Sequence, residues 1–435
     1  MELTPTQNRA VHTIDSNLQL IACAGSGKTE VITRRLAYIL TSRPEIQPEQ
    51  IVAFTFTNKA GASMKQRIQK ALEDNGYDWE GKGEQMYVGT IHAFCKFLLD
   101  RCGGEFQNYQ ILDTVKTHLF IHRYGETCGR QALGLKGTPN DIKLFTECIE
   151  KMVDDYDNRY CWPQEQQDVF EAYRSALYEH HCMDFSLLIL ETLREIHTNP
   201  DIQAYLQNIR YLVVDEYQDV NDLQEKLIAC FAEAGANLCV VGDDDQTIYQ
   251  FRGSNADNMI GFARRYPNVT QIRLEDNFRC APSVVDVADT VIRNNEKRLE
   301  KTMRAPGGAF AAGDRVEARC FASEQMQYEE IAREILKQNQ KGVPYSEIAV
   351  LVRKGKYIDP ISDCLAQYGI PYYTDSAKQF FQGRYFRRFV ETLSILQDID
   401  KPKLAECWGN LISPEGLNAG FRYLRRVARG GGTGQ

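Results

Sequence analysis

The sequence predicts an α/β fold: a parallel sheet interrupted by an inserted helical domain and followed, after about Asn277, by a second α/β-like region with a buried-strand candidate at Ile348-Ala349-Val350-Leu351-Val352. Three observations carry that prediction. Short apolar runs recur with the make-up of strands buried on both faces: Leu20-Ile21-Ala22, Ile51-Val52-Ala53-Phe54, Tyr211-Leu212-Val213-Val214 and Leu238-Cys239-Val240-Val241. An amphipathic stretch with Val31, Ile32, Leu36, Ile39 and Leu40 joins the first run to the second, giving a strand, helix, strand unit. Between about Cys95 and His197 the chain turns helical and polar, rich in Tyr, His and Cys, with no comparable strand.

The first run breaks into Ala22-Cys23-Ala24-Gly25-Ser26-Gly27-Lys28-Thr29 at the expected start of the first helix. Gly25 and Gly27 let the backbone curl so that successive N–H groups converge, and the positive end of the following helix adds to their pull on phosphate oxygens. Lys28 is placed to reach the outer phosphates, and Thr29 to offer a hydroxyl to Mg²⁺. The strict pattern wants Gly at position 22 and finds Ala22. The flanking strand and helix signals compensate for that mismatch, because a glycine-rich turn without function has no need of Lys-Thr at a helix start.

The third run ends in Asp215-Glu216. Strands that end in acids place those side chains at the carboxyl edge of the sheet, where open α/β folds bind ligands. There Asp215 is suited to hold Mg²⁺ and Glu216 to take a proton from an attacking water. The fourth run opens into Gly242-Asp243-Asp244-Asp245-Gln246-Thr247-Ile248-Tyr249-Gln250-Phe251-Arg252-Gly253. Gln246 suits the sensing of a terminal phosphate, while Tyr249, Phe251 and Arg252 suit stacking on single-stranded bases, at about 1–3 kcal/mol per stack. On these residues alone, core packing by Ile248, Tyr249 and Phe251 explains the pattern better. Phe54-Thr55-Phe56-Thr57-Asn58-Lys59 and Gly89-Thr90-Ile91-His92-Ala93-Phe94 likewise set hydroxyl, amide or imidazole groups beside aromatics, and such neutral donors bind a phosphodiester backbone.

Composition bounds the rest. With 435 residues, 43% hydrophobic and 25% charged, the chain is globular and long enough for two to four domains. No N-terminal signal segment and no apolar run near the roughly 18 residues of a membrane span are visible, so a cytoplasmic protein without a membrane partner is expected. The 13 cysteines form no C-x-x-C pair, which points to reduced, mostly buried thiols. A net charge of −8 argues weakly against a nucleic-acid partner, but a groove can be locally basic on an acidic protein.

Taken in order, ACAGSGKT, AFTFTNKAGASM, VGTIHAF, LVVDEYQD, VVGDDDQTIYQFRG and LEDNFRC resemble the motifs of UvrD/Rep-type superfamily 1 DNA helicases. The later IAVLVRKG and YGIPYYT resemble the start of that family's second motor domain, and Leu3-Thr4-Pro5-Thr6-Gln7 resembles the segment whose glutamine reads the adenine edge. The resemblance implies a RecA-like P-loop NTPase sheet at 1–95 and 197–277, the inserted helical domain at 96–196, the first part of a second RecA-like domain at 278–376, and at 377–435 the start of a second helical insertion with a flexible Gly-rich tail. It implies ATP and Mg²⁺ as cofactors, with single-stranded DNA and its junctions with duplex as partners, and leaves room for a further protein partner. Lys28 and Thr29 would bind phosphates and metal, Asp215 the metal, and Glu216 would activate water. Gln246 and Arg279 would report on the γ-phosphate, Gln7 and Phe278 would hold adenine, and residues 22–29 would cradle the phosphates. Phe56, Asn58, Thr90, His92, Tyr249, Phe251 and Arg252 would line the DNA path, travelled 3′ to 5′.

Two departures are plain. Glu30 stands where many relatives carry an arginine near adenine. After Arg279 neither the motif that couples DNA to nucleotide nor the one supplying a last phosphate-facing arginine is found, and Arg425-Arg426 is not set in a sequence like it. On that reading the chain stops inside the family's second helical insertion, and nucleotide binding is expected to survive better than turnover. Two functions therefore stay open, an ATP-dependent DNA translocase and an ATP-gated single-strand-binding module or regulatory subunit. A P-loop kinase or metabolic ATPase leaves TIHAF and QTIYQFRG unexplained.

Overall fold

In the computed structural model, residues 2–77, 79, 85–102, 104–248, 254–306 and 315–374 are described. Contacts divide the chain into two compact units, Met1–Val316 and Glu317–Gln435. The first is built on a six-stranded sheet: β1 (Asn17–Ala22), β2 (Ile51–Phe54), β3 (Tyr87–Gly89), β6 (Tyr211–Val214), β7 (Asn237–Gly242) and β8 (Val269–Leu274). Their spatial order is β3-β2-β6-β7-β1-β8, and every pairing is parallel. Between β3 and β6 lie the short β4 (Gln110–Leu112) and β5 (Cys182–Asp184), which pair with each other alone.

Alternation along the strands sorts two cores onto two faces, as a period of two requires. Leu18, Leu20, Ala22, Ile51, Ala53, Val213, Cys239 and Val241 share one cluster with α1 (Pro5–His12), α2 (Lys28–Ser42) and α3 (Asn58–Glu73). Ile21, Val52, Phe54, Leu212, Val214, Leu238 and Val240 belong to the other. That second cluster continues through α4 (Ile91–Cys102) into five further helices: α5 (Thr114–Tyr124), α6 (Pro139–Asp154), α7 (Gln164–Glu179), α8 (Phe185–Thr198) and α9 (Pro200–Asn208). It ends on α10 (Asp222–Glu233) and α11 (Ala256–Arg265). Phe54 on the sheet, Phe94 on α4 and Phe231 on α10 meet edge-on or tilted, with ring centroids 5.2, 5.9 and 5.5 Å apart. The insertion is thus seated on the sheet by one unbroken apolar core.

Helix starts follow local chemistry. Thr4 and Gln7 form a reciprocal capping box on α1, with Pro5 at its first turn, and Thr138 and Asp141 do the same on α6 behind Pro139. The first unit goes on past residue 277, through α12 (Pro282–Ile292), to Val316. In the second unit α13 (Glu324–Gln340) and α14 (Ile358–Gln367) pack through Tyr328, Ala332, Ile335, Ile361, Cys364 and Leu365. Ile348–Val352, which reads as a buried strand, pairs with no strand among the described residues, and Leu351 is 94% exposed. An apolar run becomes a central strand only where neighbours supply its ladder. Eleven of the cysteines, Cys23, Cys95 and Cys239 of the sheet domain among them, are free thiols. No helix among the described residues is long and apolar enough to cross a membrane.

Candidate nucleotide and single-strand site

Parallel strands bring their carboxyl ends to one edge, and the chemistry gathers there. β1 runs into the glycine-rich loop, whose entry is tied to the neighbouring strand by Cys23 N–H donating to Leu274 O at 2.8 Å. Gly25 and Gly27 take φ of 68° and 79°, in the left-handed region. A Cβ on Gly25 would lie 2.7 Å from Asn277 Oδ1, and one on Gly27 would lie 2.9 Å from Gln7 Nε2. α2 starts at Lys28 with no side chain capping its first turn, and the buried Ser26 hydroxyl has no partner. Uncapped N–H groups, an orphaned hydroxyl and a lysine at one helix start fit a phosphate chain.

Lys28 Nζ reaches Glu216 Oε2 at 2.9 Å. Asp215 continues β6, its N–H donating to Phe54 O at 2.9 Å, while Glu216 turns away with φ 50°, a conformation non-glycine residues seldom adopt. Burial, reinforced by the charge on Glu216 and opposed by Lys28, pushes the Asp215 carboxyl up to about 6. Asp219 is pushed up to about 6 as well, by burial and then by Glu216. Thr29 and Asp215 offer hard oxygen donors of the kind Mg²⁺ takes.

Gln218 connects the two acidic loops, a part that motif reading did not assign to it. Its Nε2 donates to Glu216 Oε2 at 2.8 Å and its Oε1 accepts from Asp243 N–H at 2.9 Å. The Gln246 amide in turn donates to Asp243 Oδ2. The signal for Gln218 was its place two residues beyond the acidic pair, within LVVDEYQD.

Asn277, almost fully buried, accepts the N–H groups of Arg279 and Cys280 on Oδ1, both at 2.8 Å. Phe278 N–H donates to Gly25 O at 3.0 Å, so Phe278 and Arg279 stand against the phosphate loop. Gln7, Ser26 and Phe278 line one cleft of about 80 Å³ with Glu275, Asp276 and Arg304. Gln7 is engaged within the protein, its Oε1 accepting from Thr4 N–H and its Nε2 donating to Ser26 O, each at 2.9 Å. One lone pair and one N–H are left for a base edge. Glu30 pairs with Arg34 at 2.6 Å.

The DNA-path candidates sit on the neighbouring strand ends. β2 and β3 are paired through Phe54 and Gly89, and beyond them come Phe56 and Asn58 on one side, Thr90 and His92 on the other. Phe56 is 40% exposed, and Asn58 opens α3 behind the Thr57 cap. Thr90 Oγ1 accepts from Ala93 N–H. Burial lowers the His92 imidazole to about 4, so it is neutral at physiological pH. Its ring lies 4.7 Å from Phe185, an exposed aromatic on the inserted domain absent from the sequence reading, because only folding brings it to this edge. Tyr249, Phe251 and Arg252 lie outside the described residues.

Known proteins share this pattern. Residues 3–267 match the UvrD/REP helicase N-terminal domain and residues 272–422 the UvrD-like helicase C-terminal domain. The ATP-dependent DNA helicase PcrA of Staphylococcus aureus (strain Mu50) is 30% identical over 404 residues, 90% of this chain and 53% of the relative. PcrA of Staphylococcus epidermidis (strain ATCC 12228) gives the same figures. The chain spans about half the length of these relatives. Pif1 helicase from Candida albicans overlaps 67% of the chain and 43% of its own at 12% identity, with a TM-score of 0.31, too low to show a shared fold.

Proposed function

The chain belongs to the UvrD/Rep family of helicases, and from that membership we propose that it is an ATP-dependent motor on single-stranded DNA that couples hydrolysis to 3′–5′ movement and duplex unwinding. The observation that supports this best is the continuous link from Lys28 through Glu216 and Gln218 to Asp243 and Gln246, laid along the sheet edge that also carries Phe56, Thr90 and His92.

In this reading, the N–H groups of residues 22–29 and the Lys28 ammonium bind the phosphates. Thr29 and Asp215 hold Mg²⁺, which when bound neutralises phosphate charge. Glu216 accepts the proton of the attacking water, so phosphates must displace it from Lys28 while Gln218 keeps hold of its carboxylate. Gln246 meets the γ-phosphate and Arg279 adds positive charge there. Gln7 and Phe278 take the adenine from two sides of their cleft. Phe56, Asn58, Thr90, His92 and Phe185, with Tyr249, Phe251 and Arg252, track the strand by stacking and neutral hydrogen bonds. Junctions between single strand and duplex, a protein partner and a cytoplasmic setting fit the same role.

The test is steady-state ATP hydrolysis with and without single-stranded DNA, with Lys28→Ala as the blank. Stimulation by DNA that vanishes in the blank is expected. ATP binding without hydrolysis in either condition would favour the ATP-gated single-strand-binding module instead.

A further inference from the structure

We propose that Lys301 is a positioning residue of the ATP site: by gripping Asp243, Asp244 and Asp245 it fixes the Gln246 amide, and so sets how strongly the site prefers a triphosphate over a diphosphate. The inference rests on the ATPase reading above and deepens it.

Asp243, Asp244 and Asp245 present ligand oxygens within 4.8 Å of one another, a grouping suited to a cation. The protein supplies that cation itself. Lys301 Nζ lies 2.9 Å from Asp243 Oδ1 and 3.0 Å from Asp245 Oδ2, and it also pairs with Asp244. Its side chain is 2% exposed. Burial opposes its charge, but the carboxylates more than offset this and hold the ammonium above its ordinary value. Arg298 forks onto Asp245 at 3.1 and 2.6 Å, and Leu299 N–H donates to Asp244 Oδ2 at 2.7 Å.

Asp243 is where this cluster meets the nucleotide site. One carboxylate oxygen faces Lys301 and the other accepts the Gln246 amide, while the backbone N–H of the same residue donates to Gln218. Turning the Asp243 carboxylate therefore moves Gln246, and Lys301 resists that turn. The segment carrying Lys301 also braces the other γ-phosphate candidate. Thr302 N–H donates to Glu275 Oε1 and Arg304 N–H to Glu275 O, both at 2.9 Å, and Asn277, which holds Arg279, donates its N–H to Arg304 O at 2.6 Å. Gln246 and Arg279 are thus positioned from one strap, residues 298–304.

The experiment compares binding of fluorescent, non-hydrolysable ATP analogue and of fluorescent ADP, with Mg²⁺, to the full chain, to Lys301→Met and to the double variant Lys301→Met/Asp244→Asn. Three carboxylates against two cations leave the cluster at formal −1, and the double variant, with two carboxylates against Arg298, keeps that value. It therefore carries the test if the single variant does not fold. Both variants are expected to lose about tenfold or more of the triphosphate preference, the worth of a hydrogen bond to a charged group, with diphosphate affinity retained. Recovery of the preference in a stable double variant would reduce Lys301 to a counter-ion and overturn the inference. An unchanged preference in the single variant would do the same. A wild-type chain that binds neither nucleotide overturns the ATPase reading, and the inference with it.

Discussion

Asp215 shows how one residue can be legible in identity and still hold back its most testable property. Its place after four apolar residues marks it as the candidate metal ligand, but its raised carboxyl comes from burial and from Glu216 beside it. A raised carboxyl favours the protonated folded state, so its contribution to stability is present at low pH and lost as pH rises through about 6. Metal binding has the opposite requirement, because the ligand must be ionised. Below about pH 6 a proton and Mg²⁺ compete for this oxygen, and apparent Mg²⁺ affinity should fall about tenfold per pH unit. Mg²⁺ titrations of nucleotide binding between pH 5 and 8 check this; a flat profile, or one unaltered by Asp215→Asn, would sink it. That Lys28, Asp215 and Glu216 would meet at one strand edge was readable because each sits in a short local pattern. The bridging part of Gln218, the tie from Asn277 to Arg304, and the placing of Phe185 and Lys301 were not, because partners distant in sequence set them.

At the scale of elements, legibility followed length and burial. β2, β6 and β7 are continuous apolar runs and emerged where the composition put them. β4 and β5 have three residues each, too few for any period to register, and β8 is an edge strand whose outer positions are polar. The seat of α4 was also hidden, since nothing local says that Phe94 meets Phe54 and Phe231. Phe94→Ala should cost about 3–5 kcal/mol in chemical denaturation, because the surrounding rings close only partly over the space left. It should also loosen the start of α4, where Thr90 and His92 stand. A loss below about 1 kcal/mol would mean that the insertion is not anchored through this ring.

For the whole molecule, charge bears on the proposed DNA path, whose described members Phe56, Asn58, Thr90 and a neutral His92 carry none. Single-strand affinity should then fall only gently with salt, since each neutralised phosphate adds about 0.7 to the slope of log K against log salt. A slope no steeper than about −2 is expected from filter binding across a salt series, and one several times steeper would place Lys and Arg contacts in charge instead. The order of the strands has its own consequence, in time rather than space. β1 is made first yet lies between β7 and β8, and its Asn17 accepts from Leu238 N–H across 221 residues of chain. At a synthesis rate of about 5–20 residues per second, its backbone edge waits roughly 10–45 s for a partner strand. The loop that follows β1 therefore has no strand beside it until β7 is made, and until then the newborn chain carries an unpaired hydrophobic segment that a chaperone could recognise.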